Sequence, residues 1–194
     1  LDACEVSDGA TLSFHHHLRN GDGVLNLVME AVARRGLREI HVAASSIFAV
    51  HAPLIEHIRR GVVSRISSSF VTGPVGDAIS AGLLPTPLVL TTHGGRARVI
   101  EEGSLPIDIA FVAAPAADAC GNISGREGRA ACGTLGYPAA DVEVARHVIA
   151  VTDSLMPYPV PAIDIPQHLV DYVVEVPSIG DPAGILSGAT RPAE

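Results

Sequence analysis

The 194-residue sequence has no lysine and no tryptophan, and only 4 phenylalanines and 3 tyrosines. Without lysine there is no Schiff-base nucleophile and no phosphate-loop lysine. The 13 strongly basic side chains are all arginines. Any firm cationic contact to a ligand must therefore be a guanidinium contact, the bidentate binder of carboxylate and phosphate. With so few aromatics the core must rest on Val, Ile, Leu and Ala, as in parallel sheets covered on both faces. The formal charge is −8, and without a basic stripe or stacking rings nucleic acid is excluded as a partner. There is no GxSxG elbow and no GxGxxG after the first strand, which argues against an α/β-hydrolase and against a nicotinamide site. The 3 cysteines, Cys4, Cys120 and Cys132, form no CxxC pair and are odd in number. They suggest neither a zinc site nor a disulfide framework, and fit a reduced, cytoplasmic setting. No apolar run reaches membrane-spanning length and no signal peptide is visible. The chain starts at Leu1 in a polar segment and ends in Ala-Thr-Arg-Pro-Ala-Glu. The expectation is a single lobe over 1–194, the N-terminal lobe of a longer two-lobed protein.

What is present is a regular alternation. Strand patterns fall near Leu12, at Glu39–Ser45, Val62–Ser68, Leu88–Thr92, Ile107–Ala113, Val148–Thr152 and Tyr172–Val176. Helical spacing covers Gly23–Arg35, Ala52–Arg60, Gly76–Leu84, Arg96–Glu102 and Asp141–His147. Ala114–Leu135 is read as a long loop and Ser154–Gln167 as irregular. This pattern predicts a three-layer α/β/α domain with a mostly parallel sheet.

Four clusters can carry chemistry. His15, His16, His17, Arg19 and Asp22 crowd the turn from the first strand to the first helix, where open α/β sheets hold ligands. Two imidazoles on one strand face, with His93, could ligate a metal, but the rest of a ligand set is unassigned and no metal is expected; a substrate-orienting role is favoured, with a structural role beside it. His93-Gly94-Gly95-Arg96 follows a strand and opens a helix, a setting for an anion, with Arg96 and Arg98 adding charge. Its alternative is an ordinary turn. Asp118 to Gly125 and Ala131 to Gly136 hold Asn122 and Ser124 as donors, with Gly125 and Gly133 as backbone N–H groups for an oxyanion hole, or form plain Gly/Asn turns. Asp181 to Gly184 and Ser187 to Arg191 end the set, as a phosphate-binding run or a lead into a linker.

Taken together, these clusters resemble the citrate lyase alpha-chain family, the CoA-transferase component of that complex. The stretches that carry the resemblance are Ser13-Phe-His-His-His-Leu-Arg-Asn-Gly-Asp22, Leu90-Thr-Thr-His-Gly-Gly-Arg96, Ile107–Pro115 with Gly121-Asn122, Cys132–Tyr137, and Ile179–Pro182 with Ser187–Arg191. The resemblance implies a CoA-transferase-like fold and exchange of acetyl for citryl on a thioester. It implies no directly bound cofactor. A CoA-derived group, phosphoribosyl-dephospho-CoA, is carried by a partner acyl-carrier gamma chain, beside a beta chain, with citrate and acetate as small partners. It also implies a mixed anhydride in place of an acyl-enzyme, which suits a chain with no glutamate in a Gly-rich turn. On that basis Arg19 and Arg96 would hold citrate carboxylates, and one or more of His15, His16 and His17 would orient the attacking carboxylate. Asn122, Ser124 and the Gly121, Gly125 and Gly133 backbone would serve the thioester, while Gly21, Asp22, His93, Gly94, Gly95 and Arg191 would line the substrate site. The family's alpha chain is longer, and the lobe alone is expected to be inactive. Two rivals remain: a sugar-phosphate isomerase of the same broad fold, with Asp22 or Asp108 as base, and a non-catalytic lobe that binds an acyl-CoA or docks the carrier.

Overall fold

The computed structural model describes residues 1–15 and 17–185; His16, Ser187 and Arg191 lie outside the described residues. The frame is a seven-stranded sheet in which every pairing is parallel. Its strands are β1 (Thr11–His15), β2 (Ile40–Ala44), β3 (Val63–Ser68), β4 (Val89–Leu90), β5 (Ile109–Ala114), β8 (His147–Thr152) and β10 (Tyr172–Glu175). The remaining strands, β6 (Ala116–Asp118), β7 (Ile123–Ser124) and β9 (Leu155–Met156), form a separate sheet. The helices are α1 (Val24–Arg34), α2 (Leu54–Arg59), α3 (Gly73–Ser80), α4 (His93–Glu101) and α5 (Pro138–Val144).

Strand pleating explains the layers. Leu12, Phe14, Val42, Phe111 and Val151 face α1, α2 and α3 in one apolar cluster. Ala43, Ala110, Val112 and Ala150 face α4 and α5 in the other. Both faces are covered, so the strands read as unbroken small and branched apolar runs. On α1, Leu25 and Met29 are fully buried; cutting Leu25 to Ala is worth about 2–5 kcal/mol.

The sheet order is β10-β8-β5-β1-β2-β3-β4. The chain steps outward from β1 to β4, then crosses back to β5 on the other side of β1. Strand order therefore reverses at β1, the topological switch point at whose carboxyl end α/β sheets bind ligands.

Several elements differ from the sequence expectation. β4 is shorter than the Leu88–Thr92 pattern, which reads as a short buried strand; it is an exposed edge strand, with Val89 and Leu90 more than half exposed. α4 starts at His93, because the Thr92 hydroxyl accepts from Gly95 N and caps the helix ahead of both glycines. α3 and α5 each begin three residues early, with a proline in the first turn. The long segment after Ala114 contains β6 and β7, and the proline-rich one contributes β9. The buried Asp118 carboxylate organises this small sheet by accepting from Cys120 N, Asn122 N, Asn122 Nδ2 and Val160 N. Burial alone would push Asp118 up; the four donors outweigh it and hold the carboxyl below its ordinary value. Among the described residues no helix is long and apolar enough to cross a membrane.

Candidate active site

A cavity of about 760 Å³ opens at the carboxyl ends of β1 to β4. Its size falls within the range of about 300–1,000 Å³ usual for small-molecule sites. Each strand delivers residues at or just past its end: His15, His17 and Arg19 from β1, Ser45, Ser46 and Phe48 from β2, Ser69 and Phe70 from β3, and His93 from β4. The 132–137 loop and Ile185 complete the wall. Among the described residues lining it there are three imidazoles, one guanidinium, several hydroxyls and no carboxylate. On a chain of charge −8, that is a local reversal of sign suited to an anionic guest.

Two turns are joined to present Arg19. Arg19 has φ 55°, in the left-handed region, and its guanidinium lies 5.6 Å from the centre of the Phe48 ring. Val50 N donates to Asn20 Oδ1. Asp22 is fully buried and caps α1 by accepting from Val24 N and Leu25 N. His51 Nδ1 accepts from Phe48 N, so its Nε2 carries the proton that binds Asp22 at 3.1 Å. The Ile179–Gly184 segment packs backbone to backbone on Gly21, with Asp181 N donating to Gly21 O. A Cβ on Gly21 would sit 2.0 Å from the Asp181 carbonyl oxygen. Arg19 makes no ion pair with a carboxylate among the described residues, which leaves its charge for a ligand.

On the opposite wall Tyr137 stands between two imidazoles. Its ring is edge-on to His93 at 4.7 Å and to His15 at 6.0 Å, and its hydroxyl donates to the His93 carbonyl. Burial pushes the Tyr137 phenol up, against the opposing pull of Arg96, so it remains a donor at neutral pH. Below this wall Arg96 is only 1% exposed. Its Nη2 donates to Ser13 Oγ at 2.8 Å, to Ala43 O at 3.2 Å and to Asp141 Oδ1 at 3.3 Å. Ser13 Oγ in turn donates to Asp141 at 2.7 Å.

The geometry therefore divides the sequence candidates. His15, His17, Arg19 and His93 meet in one cavity. Arg96 does not reach it, because its charge is consumed beneath the wall by Asp141. Asp22 and Gly21 lie behind the Arg19 turn as helix cap and packing surface. Gly94 and Gly95 form the first turn of α4 beside His93 without lining the cavity, and exposed Arg98 pairs with Glu102.

The Asn122 bend does not line the cavity and acts as a bracket. Asn122 Nδ2 binds Asp118 and Gln167, and its Oδ1 accepts from Gln167 N. Ser124 is fully buried and accepts from Arg126 N. Gly121 packs on Val170. The expected oxyanion donors are taken: Gly125 N donates to Asp164, and Gly133 N to the Gly125 carbonyl. This bend supports the 132–137 loop from behind. Asp108 accepts from Thr11 N at the far end of β1 and β5, so neither it nor Asp22 can act as a base in the cavity. Exposed Cys132 lines the cavity, but local burial and the Asp164 carboxylate push its thiol up, away from the nucleophilic thiolate. No group of three or more His, Cys, Asp or Glu among the described residues is placed to hold a metal ion.

Ser45, Ser46, Ser69 and Tyr137 complete the cavity without belonging to the chemistry expected of any cluster. The signal that marks the serines is position, directly past predicted parallel strands.

Comparison with known proteins accords with this architecture. The family described as citrate lyase, alpha subunit (CitF), matches residues 1–194. The citrate lyase alpha chain of Escherichia coli (strain K12) is 45% identical over 186 residues, covering 96% of this chain and 36% of its own. The alpha subunit of citrate lyase from Streptococcus mutans, solved in complex with citrate, aligns with TM-score 0.94 at 49% identity, covering 100% of this chain and 38% of that one. An acyl-CoA transferase from Escherichia coli O157:H7, 13% identical, shares the fold with TM-score 0.67, covering 99% of this chain and 51% of that one. The chain thus spans a little over a third of the length of its citrate lyase relatives. It belongs to the citrate lyase alpha subunit family.

Proposed function

We propose that this lobe binds citrate in the cavity at the carboxyl ends of β1 to β4 and takes part in exchanging acetyl for citryl on a carrier-borne thioester. The observation that carries this reading is the carboxylate-free lining around Arg19, His15, His17 and His93 on an otherwise acidic chain. The similar Streptococcus mutans protein was solved with citrate, which supports the same guest here. Arg19 would hold one citrate carboxylate in a fork of parallel hydrogen bonds. The hydroxyls of Ser45, Ser46 and Ser69 would take further citrate oxygens, and the imidazoles would set the attacking carboxylate. The carrier's CoA-derived arm supplies the acetyl thioester.

A citrate carboxylate oxygen then attacks the acetyl carbonyl carbon. The carbon–sulfur bond breaks, and the sulfur leaves as thiolate, giving an acetyl–citryl mixed anhydride. Attack of the same thiolate on the citryl carbonyl expels acetate. No glutamate or aspartate of the described lining competes as nucleophile, in keeping with direct transfer between the two acyl groups. The protein's contribution is positioning and stabilisation of negative charge. The additional length of the relatives would supply a second lobe that closes the cavity, and separate beta and acyl-carrier chains would complete the complex.

The test uses the intact protein with acetylated carrier and citrate. Citrate-dependent release of acetate and formation of citryl thioester are expected. Arg19→Gln should raise KM for citrate about ten- to a hundredfold, the worth of a hydrogen-bonded charge. Turnover of a sugar phosphate without acetate release would refute the reading.

A further inference from the structure

We infer that the buried triad Ser13, Arg96 and Asp141 is a positioning clamp, holding His15, His93 and Tyr137 in one arrangement at the cavity wall without touching substrate. Its rate readout rests on the acyl-transfer reading above; its structural readout does not.

The side chains of Arg96 and Asp141 are 1% and 2% exposed. Burying two charges is costly, and an apolar pair of similar volume would bind α4 to α5 as well or better. Stability therefore does not account for them. What an ion pair adds is direction. Four donor–acceptor contacts converge: Ser13 to Asp141, and Arg96 to Ser13, Ala43 and Asp141. Each member is one step from a cavity group. Ser13 precedes His15 by two residues on the same face of β1. Arg96 follows His93 by about one turn of α4, and Asp141 follows Tyr137 by about one turn of α5. Three elements that meet only in the fold are thereby locked from below. At the rim the Tyr137 hydroxyl and the His93 carbonyl join two of them again. Tyr137 thus passes the register of the clamp to both imidazoles.

The decisive variant is Arg96→Met with Asp141→Leu in the intact protein, which removes both charges together. A purely structural pair predicts restored stability and restored rate. The clamp predicts a melting temperature near wild type but a kcat at least about tenfold lower, since a misplacement of 1 Å costs up to about a hundredfold. KM for citrate should change less than about threefold, because Arg19 and the serines are untouched. Tyr137→Phe alone should lower kcat about tenfold, yet add under about twofold in the swapped background, where His93 is already released. Without substrate, the ¹⁵N-imidazole signals of His15 and His93 should move in the swapped protein.

Unmoved signals, wild-type kcat or multiplying losses would each overturn the clamp. Moved signals in a protein whose wild type shows no citrate-dependent transfer would sink the acyl-transfer reading and leave the clamp standing. Should the swapped chain fail to fold, Ser13→Ala keeps the test open by detaching β1 from the ion pair, which stays in place: moved His15 signals and reduced kcat are expected, and unchanged values overturn it.

Discussion

Acid should destabilise this lobe through one residue far from the cavity. His41 on β2 is 9% exposed, and its Nε2 lies 2.8 Å from Ser67 Oγ. Burial, reinforced by nearby Arg65, lowers its pKa from 6.5 to about 4. The folded state therefore resists a proton that the unfolded chain accepts. Between pH 6.5 and about 4 the unfolded state binds more protons, so stability rises with pH across that window and falls as the solution is acidified. The full shift is worth about 3 kcal/mol, and the step from pH 7 to pH 5 takes roughly 2 kcal/mol of it. Other groups titrate in the same range, so the informative quantity is a difference. Urea unfolding of wild type and His41→Gln, each at pH 7 and pH 5, isolates the contribution of this side chain. The wild type should lose roughly 2 kcal/mol more than the variant over that step. A difference under about 0.5 kcal/mol would show that His41 accepts its proton in the folded state, and the burial reasoning would fail. The same result sets a practical condition: pH–rate profiles meant to report on the cavity imidazoles belong above this transition.

Two further perturbations test how the site is supported. Gly21→Ala drives a Cβ to 2.0 Å from the Asp181 carbonyl oxygen, so the Ile179–Gly184 segment must move. A stability loss of about 1–3 kcal/mol and faster proteolysis in that segment are expected, while unchanged digestion would refute the backbone contact. Asp118→Asn turns an acceptor of four hydrogen bonds into a group that must also donate. Thermal melting should register about 1–3 kcal/mol of lost stability. A melting point equal to wild type would mean that the small sheet does not depend on this hub.

The frame of this protein is written locally. Val, Ile, Leu and Ala runs separated by helical spacing specify buried parallel strands because each segment's own periodicity matches its burial, as in β2, β5 and α1. Residue chemistry is also local, and it marked His15, His17, Arg19 and His93, which the fold gathers around one cavity. β6, β7 and β9 escaped because their order hangs on Asp118, whose partner Val160 lies 42 residues on. Arg96 and Asn122 show the other limit. Each carries the right functional group, but a polar side chain faces a ligand only if nothing in the protein satisfies it first. That is settled by partners such as Asp141, 45 residues from Arg96, and Gln167, 45 from Asn122. Sequence alone determined the layers, the sign of charge available for recognition and the rim where strands end. Tertiary structure alone decided which charges are spent on one another inside and which remain for a guest, because desolvation penalises a buried charge without a partner, and those partners are distant along the chain.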